Sequence, residues 1–450
     1  MCIRDSYKPK VVEAVLKDLN DHIHFCYSCI QDTELYLDSL EQEEIIRQYI
    51  DVTDLTGSYH KDGWSFVGPQ PVSMGTSHLN PLNPHSITHG YAVTEKADGI
   101  RAQLLIGKDK LGYLLTPKKQ VIATGAKFHQ ADGQWVFDGE YITQNKSGEQ
   151  IKLFMIFDVY YSSEFSTQPY TYPWAKHKKS KGTSRSEIIH EFQKKHKQGG
   201  ITYNQFNEQS NIRIGFKQYL EGPEVLKQKK DGSFSNVMNI FKSNKRILSE
   251  DTGGFEYDTD GLIFLPMYLP VKGMEEGDIV KSIRGTWSLN YKWKPPEENT
   301  IDFKVIFSRV KGKADIHSYS YVSEEGIQET RFYQKVQLAV QYKEMDDPSL
   351  DFNWLQMTDK QPNQKSFQFF DPPTYSKDNL HITNIPLTRN QMKCLKDGRQ
   401  ITNGSIVEMR YDPEAPHDFK WVPLRLRDDK TKPQYFTVAN NIWNTINDPV

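Results

Sequence analysis

The stretch Glu95-Lys96-Ala97-Asp98-Gly99-Ile100-Arg101 joins two apolar runs, Tyr91–Lys96 and Arg101–Ile106. Asp-Gly between two such runs is a tight-turn signal, so the segment reads as strand, turn, strand. Lys96 then ends one strand and Arg101 begins the next, and both side chains can point into one cleft. A second positive charge close by disfavours the ammonium form of a lysine. A deprotonated lysine is a nucleophile, and phosphate is a natural electrophile for such a cationic site. Taken alone, the stretch fits a surface hairpin with a salt bridge equally well.

Other charges are embedded in apolar runs in the same way. Asp138-Gly139-Glu140 lies inside Gln134–Ile142, where a period of two puts both carboxylates on one face. Phe157-Asp158 continues the run LFMIF within Ile151–Tyr160, and Asp260-Gly261 turns into Gly261–Leu265. Lys292 and Lys294 flank Trp293 in Leu289–Lys294 and share a face. Trp421 opens WVPLRLRDDK, in which Arg425 and Arg427 share a face and Asp429-Lys430 follow. A charge within an apolar strand is costly unless it is paired, binds metal or lines a polar cleft. Three acidic and three cationic elements placed so describe a cleft for a nucleoside triphosphate and a divalent metal.

A chain of 450 residues exceeds one ordinary core and predicts two or three domains. A hydrophobic fraction of 37% excludes a disordered chain, and a net charge of −2 is not that of a protein that coats nucleic acid. No run approaches the roughly 18–20 apolar residues of a membrane span, and no secretory leader opens the chain, so a soluble intracellular protein is expected. Four cysteines exclude a disulfide framework. Cys26-x-x-Cys29 has half of a zinc spacing, but no second pair lies near and both fall in a helical pattern, which favours packing. That pattern runs from Val12 to Ile30, and a second helix is expected from Ser39, where Ser-Leu-Glu-Gln reads as a capping box. Two helices alone cannot bury this much apolar surface, so they are expected to lean on another domain. Residues 175–200 form a basic helix-prone insert, read as a solvated face with RNA contact as the alternative. Met1 to Ser6 join no pattern and read as a scar. After Ile301 further strands, with a turn at Asn403-Gly404, suggest a small β-domain, and there is no internal repeat.

In chain order KADGIR, WVFDGE, FMIFDV, TDGLIF, YKWK and WVPLRLRDDK resemble the motifs of the covalent nucleotidyltransferases, the messenger-RNA capping guanylyltransferases and polynucleotide ligases. The resemblance covers about residues 64–438. TDGLIF, KWKPPEENTIDF and the WxxxRxRxDK pattern resemble capping enzymes more than ligases. The lead-in FVGPQPVSM, residues 66–74, is similar to that of viral guanylyltransferases, and the multifunctional capping enzymes of large DNA viruses are the group most resembled. One departure is Gln434, where the family tends to carry Asn.

The resemblance implies an α+β chain. Residues 61–299 would be a nucleotidyltransferase domain of antiparallel sheets with flanking helices, and 300–438 an OB-fold β-barrel. Residues 1–60 would be the helical tail of an upstream RNA triphosphatase domain, and 439–450 a segment leading to a missing N7-methyltransferase domain. The implied reaction moves GMP from GTP through a lysyl-GMP intermediate on Lys96 to the 5′-diphosphate end of RNA. Arg101 and Glu140 would contact the ribose, Phe157 would stack on the base, and Glu140 and Asp260 would hold Mg²⁺ or Mn²⁺. Lys292 and Lys294 would hold the α-phosphate. Arg425, Arg427, Asp429 and Lys430 would come from the second domain on closure to orient the departing pyrophosphate. The implied partners are GTP and RNA, without a membrane, in the cytoplasm of an infected cell or in a virion. An ATP-dependent RNA or DNA ligase and a catalytically silent RNA-binding module are the alternatives; the presence of Lys96 speaks against the latter.

Overall fold

Alternating and apolar runs become strands where the sequence places them. The computed structural model describes residues 9–53, 66–163, 165–172, 183–197, 199–222, 224–228, 230, 232, 234–249, 254–280, 282–322, 328–342, 367–372 and 380–449. Met1 to Ser6 and positions 175–182 of the basic insert lie outside them. The first strands are β1 (Pro69–Ser73), β2 (Tyr91–Ala97), β3 (Ile100–Ile106), β4 (Leu111–Leu115), β5 (Val121–Phe128), β6 (Gln134–Gln144) and β7 (Gln150–Ser163). The helices are α1 (Pro9–Gln31), α2 (Ser39–Thr53), α3 (Arg185–Lys197), α4 (Ile240–Leu248) and α5 (Phe436–Asn447). The class is α+β, as expected.

The Asp98-Gly99 turn does something other than close a hairpin. Among the described residues β2 belongs to a five-stranded sheet ordered β1, Gly285–Trp293, Thr259–Pro266, β2, Leu220–Glu221. Strand β3 belongs to an eight-stranded sheet whose path runs Arg213–Phe216, β7, β6, β3, β4, β5, Ile201–Tyr203. The turn therefore carries the chain from one sheet to the other, and its tie is the Asp98 N–H donated to Asp258 O at 2.9 Å. Period-two patterning shows that two strands flank a turn, but not whether they pair with each other.

Both faces of β3 are covered, which is why Ala102 to Ile106 are all buried. Leu104 and Ile106 join Phe137, Phe154 and Phe192 in one core, which Ile188 and Ile189 of α3 cover. Leu105 points the other way, into a core with Tyr113 and Val136 that Ile45, Tyr49 and Val52 of α2 cover. Helix α2 is thus part of the sheet's own packing. Its cap is also shifted by one residue. Asp38 N donates to Glu41 Oε2 and Glu41 N to Asp38 Oδ1, both at 2.8 Å, so Asp38 takes the N-cap place read for Ser39. Helix α1 keeps Val15, Leu16, Leu19 and Ile23 exposed. Cys26 and Cys29 are free and exposed thiols rather than packed ones.

The chain divides into two compact units, Met1–Val72 with Ile87–Lys292 and Ser73–Ser86 with Trp293–Val450. The division falls at Lys292/Trp293, seven residues before the expected 299/300 boundary. The second unit is an antiparallel β-domain of the OB type. Its central strand Thr300–Phe307 pairs with Gln328–Gln341 and Ile406–Tyr411, and Ile406–Tyr411 pairs with Trp421–Leu426. Helix α5 closes this core through Ala439, Ile442 and Trp443, the last edge-on to Tyr411 with ring centres 4.8 Å apart. Residues 439–447, expected to lead away, are therefore integral to the second unit. No helix among the described residues is long and apolar enough to cross a membrane.

Trp443, 1% exposed, tests this assignment. Trp443→Ala should cost about 3–5 kcal/mol, the usual range for emptying an aromatic core site, read as a lower urea midpoint. An unchanged midpoint would mean that α5 contributes nothing to the second core.

Candidate active site

Lys96 stands next to the end of β2, half-buried, and donates to Asp260 Oδ1 at 2.6 Å. The ladder explains this contact. Ala97 pairs with Thr259 and Glu95 with Leu262, so Asp260 and Gly261 together oppose Lys96. Such a bulge re-aims a side chain next to a site, and Gly261 at φ +147° supplies the backbone freedom it needs. The sequence predicted cations around Lys96; the structure also sets an acid against it.

A buried charged cluster lies beside the lysine. Glu95, 3% exposed, accepts Tyr257 Oη at 2.8 Å and lies 2.7 Å from Thr94 Oγ1. The buried Lys217 Nζ donates to Glu95 O at 3.3 Å, sits 3.7 Å from Glu95 Oε1, and stands 5.7 Å from the centre of the Phe157 ring. Burial pushes the Lys217 ammonium below its ordinary range despite the nearby Glu95 and Glu140 carboxylates. Burial also pushes the Glu140 carboxyl up to about 7, against the pull of Lys217, Lys96 and Arg101. Lys217 was not singled out in the sequence. It is one lysine between Phe216 and Tyr219, a short apolar context that the embedded-charge criterion covers but that belongs to no recognised motif.

Arg101 binds a carboxylate that is not its direct neighbour across the strands. Glu140 is its cross-strand partner in register, while Asp138 faces Gln103. The guanidinium nonetheless grips Asp138, with Nε 3.2 Å from Oδ1 and Nη2 2.5 Å from Oδ2. Asp138 has no exposure and also accepts Tyr160 Oη at 2.6 Å. A buried carboxylate must be paired, so Asp138 claims the arginine and leaves Glu140 free to face Lys96 and Lys217. Arg101 Nη1 donates to Pro69 O at 2.9 Å, and its guanidinium lies 5.5 Å from the Phe66 ring centre. A Cβ on Gly68, at φ +109°, would stand 2.7 Å from Arg101 Nη2 and 2.9 Å from the Tyr160 ring. Only glycine permits that approach, a requirement that no motif announced.

Asp158, counted among the cleft carboxylates, is structural. Arg185 of α3, itself fully buried, donates to it through Nε at 2.8 Å and Nη2 at 3.2 Å. Burial raises the Asp158 carboxyl in spite of that arginine. The pair nails the start of α3 to β7, and Phe157 alone of this motif is left beside Lys217. Lys292 ends the first unit and Lys294 lies in the second, both half-buried.

In the second unit the three motif cations gather round two acids. Arg427 Nη1 lies 3.0 and 3.2 Å from the oxygens of Asp302 and 3.6 Å from Glu408. Its Nε and Nη2 make a two-pronged contact with Asp429, each at 2.9 Å. That hydrogen bonding holds the Asp429 carboxyl at about 2. Lys430 also donates to Asp302, and Arg425 Nε donates to Glu408 at 2.5 Å. Gln434 fastens the end of the motif to the same acid's backbone, Asp302 N to Gln434 Oε1 at 3.2 Å. Asp302 lies in KWKPPEENTIDF but was not read as part of the site; a buried carboxylate two hundred residues from the nucleophile shows its role only once Arg427 and Lys430 reach it.

Among the described residues no three His, Cys, Asp or Glu side chains converge as a metal site. Glu140 and Asp260 suit Mg²⁺ all the same, because that ion is usually held by one or two carboxylates together with waters and substrate phosphates.

The family model described as mRNA capping enzyme, catalytic domain, matches residues 33–283, over half of the chain, and that described as mRNA capping enzyme, C-terminal domain, matches 298–450. The "Probable mRNA-capping enzyme" of Acanthamoeba polyphaga mimivirus is 25% identical over 476 residues, covering 94% of this chain and 35% of that protein. The mRNA-capping enzyme subunit alpha of Yarrowia lipolytica is 23% identical, covering 88% of this chain and 83% of that one. A solved ligase domain from M. tuberculosis is 13% identical with a TM-score of 0.27, covering 81% of this chain and 96% of that one; a score so low carries no argument. The chain spans about a third of the mimivirus relative's length.

Asp158→Ala would leave the Arg185 guanidinium buried and unpaired. The expected cost is about 3–5 kcal/mol, the range for removing one partner of a buried ion pair, measured by urea unfolding. A loss below about 1 kcal/mol, the value of an exposed pair, would restore Asp158 as a solvated cleft carboxylate.

Proposed function

We propose that this chain, which belongs to the mRNA capping enzyme family, takes GMP from GTP onto Lys96 and passes it to the 5′-diphosphate end of RNA. The observation that carries the reading is Lys96 held at 2.6 Å by Asp260 and flanked by the Glu95, Glu140 and Lys217 cluster. Asp260 Oδ1 is an acceptor within reach of the Lys96 proton, and the freed amine attacks the α-phosphorus. The N–P bond forms as the bond to pyrophosphate breaks. In the second step a terminal oxygen of the RNA diphosphate attacks the same phosphorus, the N–P bond breaks, and Lys96 regains its proton. Lys292 and Lys294 are the cations proposed to offset charge at the α-phosphate, and Arg101 is proposed to meet the ribose. Glu140 and Asp260 would hold Mg²⁺ or Mn²⁺, which supplies further charge neutralisation there. Arg425, Arg427, Asp429 and Lys430 are proposed to orient the pyrophosphate, with Asp302 and Glu408 setting their directions. The RNA acceptor would come from a triphosphatase and pass on to an N7-methyltransferase, in the same polypeptide or another.

Phe157 and Lys217 support GTP over ATP. An ammonium beside a stacking ring suits guanine, whose O6 and N7 both accept, whereas adenine presents its N6 amine at the O6 position.

Incubation with labelled GTP and Mg²⁺ should mark the wild-type protein on a denaturing gel, and Lys96→Ala should abolish the mark. Lys96→Arg should fail too, since a guanidinium stays protonated. Labelling by ATP in place of GTP would overturn the reading in favour of a ligase. Lys217→Ala should lower the preference for GTP over ATP in adduct formation by about tenfold, the scale of one lost base-discriminating contact; an unaltered preference would remove Lys217 from the base seat.

A further inference from the structure

Helix α2 was expected to belong to whatever precedes the nucleotide domain, yet one of its side chains reaches the strand that carries Arg101. Tyr49 has no exposure. Its hydroxyl donates to Gln103 Oε1 and accepts the Val67 N–H at 3.1 Å. Gln103 Nε2 donates in turn to Val67 O at 2.5 Å. Val67 is therefore held at both its N–H and its carbonyl, by α2 and by β3. The short segment around it supplies two of the contacts that orient Arg101: the Phe66 ring at 5.5 Å and the Pro69 carbonyl at 2.9 Å. Gly68 lies between them, close enough to the guanidinium to exclude any side chain. Gln103 and Arg101 are two residues apart on one strand and so point to the same face. A core-filling role on α2 would be met by phenylalanine. The hydroxyl is what links the helix to residues 66–69.

We infer that Tyr49 is a positioning residue for Arg101, so that α2 sets the nucleotide pocket through a hydrogen-bonded bridge of Tyr49, Gln103 and Val67. This rests on the reading above that Arg101 meets the ribose. Loss of the bridge frees residues 66–69 to shift and lets the guanidinium turn on its Asp138 partner. Its effect falls on nucleotide binding and ribose selection rather than on the chemistry at Lys96.

Tyr49→Phe keeps the ring and removes the hydroxyl. Adduct formation should show a GTP KM raised by about fivefold, the scale of one lost neutral hydrogen bond, and discrimination between GTP and 2′-deoxyGTP should fall by a similar factor. Transfer of GMP from preformed adduct to RNA should hold its rate. Val52→Ala, on the same helix and in the same core, is the comparison: it should lower the melting temperature while leaving KM and the GTP/2′-deoxyGTP ratio alone. If Tyr49→Phe lowers only the melting temperature, as Val52→Ala does, the inference is overturned. Wild-type protein that forms no adduct defeats guanylyltransfer instead. Calorimetric titration with GTP then decides Tyr49 by itself, a weaker affinity in Tyr49→Phe upholding its role and an equal affinity ending it.

Discussion

Asp138 is a carboxylate with no contact with solvent, and the face of the sheet that carries Arg101 is arranged around satisfying it. An unpaired buried charge costs several kcal/mol. Arg101 from β3 and Tyr160 from β7 meet that demand together, which locks three neighbouring strands at one point. The arginine then needs a seat for its remaining donor and its flat face, and residues 66–69 give both. Gly68 must lack a side chain for the same reason. With Asp138 occupied, Glu140 is the acid left over on that face. Its burial raises its carboxyl to about 7 against the pull of Lys217, Lys96 and Arg101.

The same rule separates supporting charges from working ones elsewhere. Asp158 and Arg185 neutralise each other out of solvent and fix a helix to a strand. Glu95 is enclosed by Tyr257, Thr94 and Lys217, so it holds the lysine beside Phe157 rather than facing a substrate. In the second unit Asp302 and Glu408 gather Arg425, Arg427 and Lys430. Embedded charges differ in exposure: Lys96 keeps about a quarter of its side-chain surface in solvent, whereas Asp138 and Arg185 keep none.

Much of the chain was legible before any coordinates. Alternation within β2, β3, β6 and β7 is a local property, since successive side chains of a strand face opposite ways, and each expected strand formed with ends moved by a few residues. The Asp98-Gly99 turn was readable because its chemistry is local as well. The order of the six motifs identified the family, and the matching catalytic-domain and C-terminal models support the same identification. What misled was also local: Ser39 scored as a cap although Asp38 one residue earlier makes the reciprocal bond.

Partner choice was decided by the tertiary structure alone. Whether β2 and β3 form a hairpin or enter separate sheets depends on Thr259–Pro266 and β6, which come from distant parts of the chain. That Arg101 binds Asp138 rather than Glu140, that Lys217 joins Glu95 and Phe157, and that Asp302 collects Arg427 and Lys430 are all contacts across separations of tens to more than a hundred residues. A period of two records which face a side chain takes but not what stands opposite it. The sequence by itself determined the strands, the turns and the kinds of charge available. The pairing of sheets determined which of those charges neutralise each other.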